Sequence, residues 1–208
     1  MIIDLHVHTK PRSACSHIAP EELLAEAARL GLDGICLTEH HGLWDRAELS
    51  RLAGKSGISL FTGNEVTTDQ GDVIVFAYSG HVPEVIPLAD LQSAVAAAGG
   101  FMIAAHPLRG FKVFGIGQLK LTAAQAARRK MFQYVDAVEI RNGRLNEEEN
   151  KMAEEVAVSR GLRGVAGSDA HRIDEIGKWV TILERTVKDE AGLIEELRAG
   201  RYRIGTAR

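Results

Sequence analysis

The sequence has few cysteines, no long apolar run and no strong excess of either charge. Its 208 residues include two cysteines, Cys15 and Cys36, and the formal net charge is −3. Two cysteines are too few for a disulfide-rich secreted scaffold, so we expect a reducing, cytoplasmic location. We also expect no signal peptide, because no basic segment followed by a long apolar stretch opens the sequence.

The missing features also limit the partners of the protein. The longest apolar stretch, residues 94–105, contains two glycines and is too short to cross a bilayer, so we expect no membrane partner. The charged residues are spread along the chain, which argues against a polycationic nucleic-acid surface but leaves a local basic channel open.

Apolar strands alternate with helices along most of the chain. Strands are predicted at 1–5, 34–38, 58–62, 72–78, 101–105, 135–140, 162–166 and 179–183, and helices begin near 20, 45, 88, 122, 146 and 188. Such alternation predicts an α/β fold with a parallel sheet buried on both faces, either an open sheet or a closed barrel. No linker divides the chain, so we expect one domain over residues 1–208.

Histidines and carboxylates follow nearly every predicted strand. His6 and His8 are two residues apart in the first strand and therefore point the same way. Similar residues occur at 39–40, 65, 106, 139 and 169–171. In a barrel the ends of all parallel strands face one mouth, whereas in an open sheet the outer strands lie too far apart. The pattern therefore favours the barrel.

These residues are of the types that bind divalent metal ions. Imidazole and carboxylate groups together suit Zn, Mn or Fe. Seven such groups are too many for one tetrahedral ion, so we expect two or three ions, with Glu65 or Asp169 as a bridge. The seven residues are His6, His8, His40, Glu65, His106, Asp169 and His171.

Five motifs resemble those of the PHP (polymerase and histidinol phosphatase) domain family of metal-dependent phosphoesterases. They are DLHVHT (4–9), LTEH (37–40), GNE (63–65), AAHP (104–107) and GSDAH (167–171), in the order and at the separations typical of the family. The resemblance implies a distorted (β/α)7 TIM-like barrel, in which the seven residues are metal ligands and Glu65 bridges two ions. It also implies a ligand near Glu139, with Asn142 as the weaker alternative.

Two positions depart from the family pattern. Glu39 stands where the family commonly has Asp, and it keeps an acid for proton transfer or for support of the ligands. The loop after His8 offers Cys15 and His17 where the family commonly has Asp or His. We favour His17 as the third-metal ligand, and if neither residue binds, we expect two ions.

Arginines after the strands supply candidates for phosphate binding. Arginine matches phosphate with two parallel hydrogen bonds, and Arg109 and Arg141 are the candidates, with Arg172 directly after His171. Residues 108–121, which include Phe111, are interpreted either as a substrate lid or as an ordinary connection.

Together these features predict a metal-dependent hydrolase that cleaves a small phosphomonoester, such as a nucleotide or histidinol phosphate, by a metal-activated hydroxide. Glu39, Arg109 and Arg141 are the predicted catalytic residues. The alternatives are a 5′–3′ exonuclease or phosphodiesterase acting on short RNA or DNA ends and, from another class, a non-catalytic metal-binding module. An amidohydrolase is disfavoured because its usual metal-bridging lysine is not evident. The substrate, the native metal and the oligomeric state stay open.

Overall fold

The computed structural model describes residues 1–40, 42–54, 56–80, 84–110 and 122–207. The strands in these ranges are β1 Ile2–Val7, β2 Gly34–Glu39, β3 Ser59–Thr68, β4 Gly71–Phe76, β5 Phe101–Ala104, β6 Ala137–Asn142, β7 Arg163–Gly167, β8 Val180–Leu183 and β9 Tyr202–Gly205. The α-helices are α1 Pro20–Arg29, α2 Arg46–Ala53, α3 Leu88–Ala97, α4 Ala123–Ala126, α5 Glu147–Arg160 and α6 Glu190–Ala199. Two 3-10 turns lie at Lys130–Gln133 and Ile173–Glu175.

The nine strands form one curved sheet in the order β7-β6-β5-β4-β3-β2-β1-β8-β9. The sheet nearly closes where the end of β7 meets β1. Val7 pairs with Ala170, and the Asp169 N–H donates to the His6 carbonyl at 2.8 Å. A side chain at Gly167 would collide with His6, because an added Cβ would lie 2.6 Å from the His6 Cβ. The predicted distorted TIM-like barrel is therefore confirmed.

The expectation of an all-parallel sheet is wrong. β4 runs antiparallel to β3 and β5, and β8 runs antiparallel to β1 and β9. β3 and β4 are joined by a two-residue turn at Asp69 and Gln70. So short a connection makes a hairpin, because a parallel neighbour needs a crossover of a dozen or more residues.

Two further elements differ from the sequence prediction. The helix predicted from residue 122 ends after Ala126 and resumes only as a 3-10 turn. Between them Arg129 turns inward, and its guanidinium donates to the carbonyls of Pro107 and Gln70. These contacts between distant segments replace a continuous helix. Strand β9 was not predicted, because its four residues carry too short a pattern.

Apolar side chains from the strands fill the barrel interior together with α6. This cluster includes Ile3, Leu5, Cys36, Phe61, Phe76, Phe101, Ile103, Val165, Leu193 and Leu197. Two other clusters pack the helices against the outer face of the sheet, α3, α4 and α5 over one part and α1 and α2 over another. No helix in the described ranges is long and apolar enough to cross a membrane. The cytoplasmic location stays a prediction.

Two strands change register where they approach one end of the barrel. In β1 the pairing with β2 shifts between Asp4 and Val7, and Leu5 packs in the barrel interior whereas Val7 packs against the α1 and α2 side. In β6 the pairing with β7 shifts between Glu139 and Arg141. Such bulges re-aim side chains, so residues two apart need not share a face.

Candidate metal centre

The seven predicted ligands come together at one end of the barrel. They belong to β1 and β3 or to the residues directly after β1, β2, β5 and β7. His6, His8 and Asp169 are fully buried, whereas 31% of the His40 side chain is exposed. The cluster is therefore deep on one side and open on the other. Its members are His6, His8, His40, Glu65, His106, Asp169 and His171.

Glu65 is the central carboxylate of this cluster. Its Oε2 lies 3.1 Å from His8 Nε2, 3.4 Å from His6 Nε2 and 3.6 Å from His40 Nδ1. Its Oε1 lies 2.6 Å from His106 Nε2. One carboxylate thus touches four imidazoles with both oxygens, which is the arrangement expected of a bridging ligand.

The nitrogen and oxygen atoms form three overlapping groups. In each group the three ligand atoms lie within 4.8 Å of one another. The groups are His6, Glu65 and His106; His6, His8 and Asp169; and His8, His40 and His171. His6 and His8 each belong to two groups, so the three sites are contiguous.

One carboxylate oxygen of the cluster is left without a hydrogen bond. Asp169 Oδ1 is buried and has no hydrogen-bond partner among the described residues, although polar atoms out of contact with water normally have one. The Nε2 atoms of His6 and His8 face each other at 3.0 Å. Imidazole nitrogens gathered beside carboxylate oxygens are the donor set of Zn, Mn and Fe sites. The residues therefore fit divalent metal ions.

Burial and the mutual charges shift the pKa values of the cluster. Burial alone would lower the pKa of His6, but the charges of Asp169, Glu139 and Glu65 raise it well above its usual value. Burial likewise opposes ionisation of Asp169, yet His6 and Arg109 lower the pKa of that carboxyl to about 2. Burial, together with repulsion from His6, lowers the pKa of His8 to about 4. The cluster thus keeps carboxylates charged and His8 neutral, as ligands must be.

Two of the predicted ligands have an unusual backbone conformation. His106 has φ of 28° and Asp169 has φ of 55°, in the left-handed region that non-glycine residues seldom adopt. Each such residue costs about 1–3 kcal/mol and is held by its surroundings. Here the Asp169 N–H bonds to the His6 carbonyl and the His106 N–H bonds to Glu139 at 2.8 Å. This backbone conformation directs both side chains toward the cluster.

Glu139 lies directly behind His6. Its Oε1 is 3.0 Å from His6 Nδ1, and its Oε2 accepts from the His106 N–H and from Asn142 Nδ2 at 2.8 Å. Asn142 also donates to Asp169 Oδ2 at 3.3 Å. A carboxylate that accepts from the outer nitrogen of a histidine orients the ring and fixes which nitrogen faces a metal. Glu139 is in none of the three groups of ligand atoms, all of which lie in the described part of the chain.

Glu39 is buried in a pocket of donors beside the cluster. Its carboxylate accepts from the Thr9 N–H at 3.0 Å and the Thr9 hydroxyl, from Ser13 Oγ at 2.5 Å and from Trp44 Nε1 at 3.0 Å. Both oxygens are thus engaged. The sequence analysis assigned no such role to these donors, because Thr9 and Ser13 lie 30 and 26 residues from Glu39 along the chain and no short pattern links Trp44 to it.

The two arginines predicted to bind phosphate differ in their position relative to the cluster. Arg109 reaches the cluster, and its guanidinium pairs with Asp169. Arg141 pairs with Glu154 on α5 at 2.8 Å and lies 5.7 Å from the ring of Trp179. The register shift after Glu139 explains why Glu139 faces the cluster and Arg141 does not.

A further arginine lies near the cluster and was not predicted. Arg144 follows β6, and its positive charge contributes, after burial, to lowering the pKa of His171. Its backbone N–H donates to Asn142 Oδ1 at 2.9 Å. Arg172, which was considered, is exposed and pairs with Asp174 at 3.2 Å.

The loop after His8 presents both of its candidates at the surface. His17 is exposed and lines a surface depression of about 780 Å³ with Arg29 and Arg172. Cys15 is exposed as well, and burial and the charges of Glu65 and Asp169 raise the pKa of its thiol. The predicted lid residues 111–121 lie outside the described residues.

Comparisons with known proteins find similarity to PHP domain proteins. The PHP domain family model matches residues 4–94, and a PHP-associated model matches residues 147–202. An uncharacterized protein of Methanocaldococcus jannaschii is 25% identical over 116 residues, which cover 51% of this chain and 68% of that protein. An error-prone DNA polymerase of Nocardia farcinica is 36% identical over 64 residues, 31% of this chain and 6% of the polymerase.

A solved structure shows the same fold. It is a two-domain protein from Bacteroides vulgatus that contains a predicted PHP-like metal-dependent phosphoesterase, with a TM-score of 0.69 and 22% identity. The match covers 100% of this chain and 65% of the Bacteroides protein. The two matched family models together span more than half of the chain. The chain belongs to the PHP domain family.

Proposed function

We propose that the protein is a metal-dependent phosphoesterase that hydrolyses a small phosphomonoester. The observation that carries the proposal is the set of three overlapping groups of buried imidazole and carboxylate atoms. Three contiguous groups support two or three ions at one catalytic centre. Membership of the PHP domain family, with a fold neighbour described as a predicted metal-dependent phosphoesterase, supports the same reaction.

The proposed ligands are the seven residues of the cluster, with Glu65 as the bridge. When bound, divalent ions in such a centre lower the pKa of a water and neutralise the charge of a phosphate ester. Glu139 and Glu39 are proposed to orient ligands and not to bind metal themselves, because their oxygens already accept hydrogen bonds from protein groups. His17 and Cys15 are both exposed, so both stay candidates for the loop ligand.

The substrate is proposed to approach from the side of His40 and Arg109. These two side chains are 31% and 40% exposed, whereas Glu65 and Asp169 are buried behind them. Arg109 is the candidate for binding the phosphate, because its guanidinium already reaches a carboxylate of the cluster and matches phosphate oxygens equally well. Arg144 is a second candidate at the edge beside His171.

The test is a hydrolysis screen of the protein after removal of its metals and reconstitution with Mn²⁺, Fe²⁺ or Zn²⁺. The substrates are p-nitrophenyl phosphate, histidinol phosphate, nucleoside monophosphates and a short 5′-phosphorylated RNA. We expect metal-dependent release of inorganic phosphate from a monoester. Release of nucleotides from RNA alone would favour the nuclease alternative, and absence of any metal-dependent hydrolysis would contradict the proposal.

A further inference from the structure

The hydroxyl of Ser13 connects Glu39 to one of the proposed metal ligands. Ser13 is fully buried in the loop between β1 and α1. Its Oγ lies 2.5 Å from Glu39 Oε2 and 3.3 Å from His8 Nδ1, and it accepts a hydrogen bond from the His40 N–H at 3.2 Å. Three groups therefore meet at one oxygen.

The proton count at this oxygen admits one arrangement. A serine hydroxyl has one proton to donate and two lone pairs that accept. A carboxylate and a backbone N–H have fixed roles, so the hydroxyl donates to Glu39 and accepts from the His40 N–H. Only a lone pair is then left for His8, and His8 Nδ1 must carry a proton. In a neutral imidazole the other nitrogen is then without a proton.

We propose that Ser13 is a positioning residue that holds His8 in the Nδ1–H tautomer, with the Nε2 lone pair aimed at the metal cluster. His8 Nε2 lies 3.1 Å from Glu65 Oε2 and 3.6 Å from Asp169 Oδ1. His6 is held by a carboxylate directly, through Glu139. His8 is held by a carboxylate through one interposed hydroxyl. The role rests on the proposed function, since it takes His8 to be a ligand.

The Glu39 pocket makes this arrangement rigid. Thr9 and Trp44 also donate to the same carboxylate, so Glu39 cannot turn away from Ser13 without breaking several buried hydrogen bonds. The loop is also fixed at its backbone, because the Ser13 N–H donates to the Thr9 carbonyl at 2.9 Å. Ser13 thus transmits the position of β2, which carries Glu39, to the ring of His8.

The first measurement reads the tautomer in the metal-free protein. Imidazole nitrogens of ¹⁵N-histidine-labelled protein distinguish Nδ1–H from Nε2–H, and the signals of His8 are assigned by their loss in His8→Asn. We expect Nδ1–H in the wild type and a change of the tautomer ratio in Ser13→Ala. A wild-type His8 that carries its proton on Nε2 overturns the proposal, whether or not the protein hydrolyses any ester.

The second measurement is Zn²⁺ affinity by competition with a chelating dye. Removal of a group that orients a metal ligand typically weakens binding about 10- to 100-fold, and we expect that loss in Ser13→Ala and its recovery in Ser13→Thr. The matched control is Ser16→Ala, because Ser16 is a buried serine of the same loop that donates to the His8 carbonyl and not to its ring. Equal losses in both alanine variants, or no loss in Ser13→Ala, would overturn the role.

Discussion

The cluster of predicted ligands and the Glu39 pocket lie side by side. Both are buried and polar, but their hydrogen bonding differs. In the Glu39 pocket each donor faces an acceptor, and the carboxylate receives bonds from Thr9, Ser13 and Trp44. In the cluster, the buried Asp169 Oδ1 has no hydrogen-bond partner among the described residues. A satisfied pocket stabilises the fold, whereas an unsatisfied one is suited to binding an ion from outside.

The largest effect is expected when the cluster loses its ions or a ligand. Exhaustive chelation, or the substitution Asp169→Asn, should reduce hydrolysis to background. Zn²⁺ at one hundred times its Kd should raise the unfolding free energy of the wild type by about 2.7 kcal/mol and should not do so in Asp169→Asn. The measurements are phosphate release and thermal unfolding with and without Zn²⁺. Hydrolysis that survives chelation would contradict a metal-dependent mechanism, and with it the contrast between an ion-binding cluster and a satisfied pocket.

Glu39→Ala tests the other half of the comparison. It leaves several buried donors without an acceptor, and each costs about 1–3 kcal/mol, so we expect a loss of about 3–4 kcal/mol in the unfolding free energy. Urea unfolding of the metal-free protein measures it. The control is Glu154→Ala, since Glu154 is 45% exposed and pairs with Arg141. Equal stability of the two variants would show that the pocket contributes no more than a surface pair.

Asp4 is a buried carboxylate whose hydrogen-bond donors include uncharged backbone groups. It accepts from the backbone N–H groups of His6, Ser168 and Gly177, yet burial raises its pKa from 3.8 to about 6. Between these pH values the folded state binds more protons than the unfolded state, so stability falls as pH rises from about 4 to 6. Integrated over that shift, the fall is up to about 3 kcal/mol.

The measurement is the pH slope of the unfolding free energy of the wild type against that of Asp4→Asn, which lacks the titrating group. The variant is expected to be less stable at every pH, because its amide nitrogen cannot accept, so only the slopes are compared. Identical slopes between pH 4 and 6 would show that Asp4 titrates alike in both states.

Arg109 and Arg141 sharpen the comparison at the edge of the cluster. Arg109→Ala should lower kcat/KM about 100-fold if the guanidinium binds the phosphate, whereas Arg141→Ala should change it by less than about threefold because Arg141 pairs with Glu154 outside the cluster. Arg29→Ala is the control, since Arg29 is exposed and pairs with Glu26 on α1. A larger loss in Arg141→Ala than in Arg109→Ala would contradict the geometry.

The smallest effect is expected at an unsatisfied oxygen outside the cluster. The Tyr202 hydroxyl is buried and has no hydrogen-bond partner in the described part of the chain, and burial raises its pKa to about 12. Tyr202→Phe removes this group without loss of a bond and should raise the unfolding free energy by up to about 1 kcal/mol. Thermal unfolding measures it, and a loss of stability would reveal an interaction of the hydroxyl.

The sequence predicted well where a local pattern has one structural solution. The helices that begin near 20, 45, 88, 146 and 188 are present, because their apolar spacing and N-terminal residues act within one element. The convergence of ligand-type residues was also predicted, since strand ends meet at one mouth of a barrel. The antiparallel β4 and the short β9 were missed, because pairing direction depends on the connection and on distant partners.

The roles of individual residues at the site depended on contacts that no short pattern reveals. Glu39 was predicted as catalytic, but its oxygens are held by Trp44 and by two loop residues. Arg141 was predicted to bind phosphate, but a register shift directs it to Glu154. The Glu39 contacts with Thr9 and Ser13 span 30 and 26 residues, and the direction of Arg141 depends on how β6 pairs with β7.

The sequence by itself determined the alternation of strands and helices, the family and the set of imidazole and carboxylate residues that could hold ions. The tertiary structure alone decided which face each of them occupies, which carboxylates are free to bind and which are already hydrogen-bonded. The physical reason is the distance along the chain over which each kind of interaction acts. Periodicity and capping act over a few residues, whereas bulges, barrel closure and buried hydrogen bonds are set by segments that meet only in the folded protein.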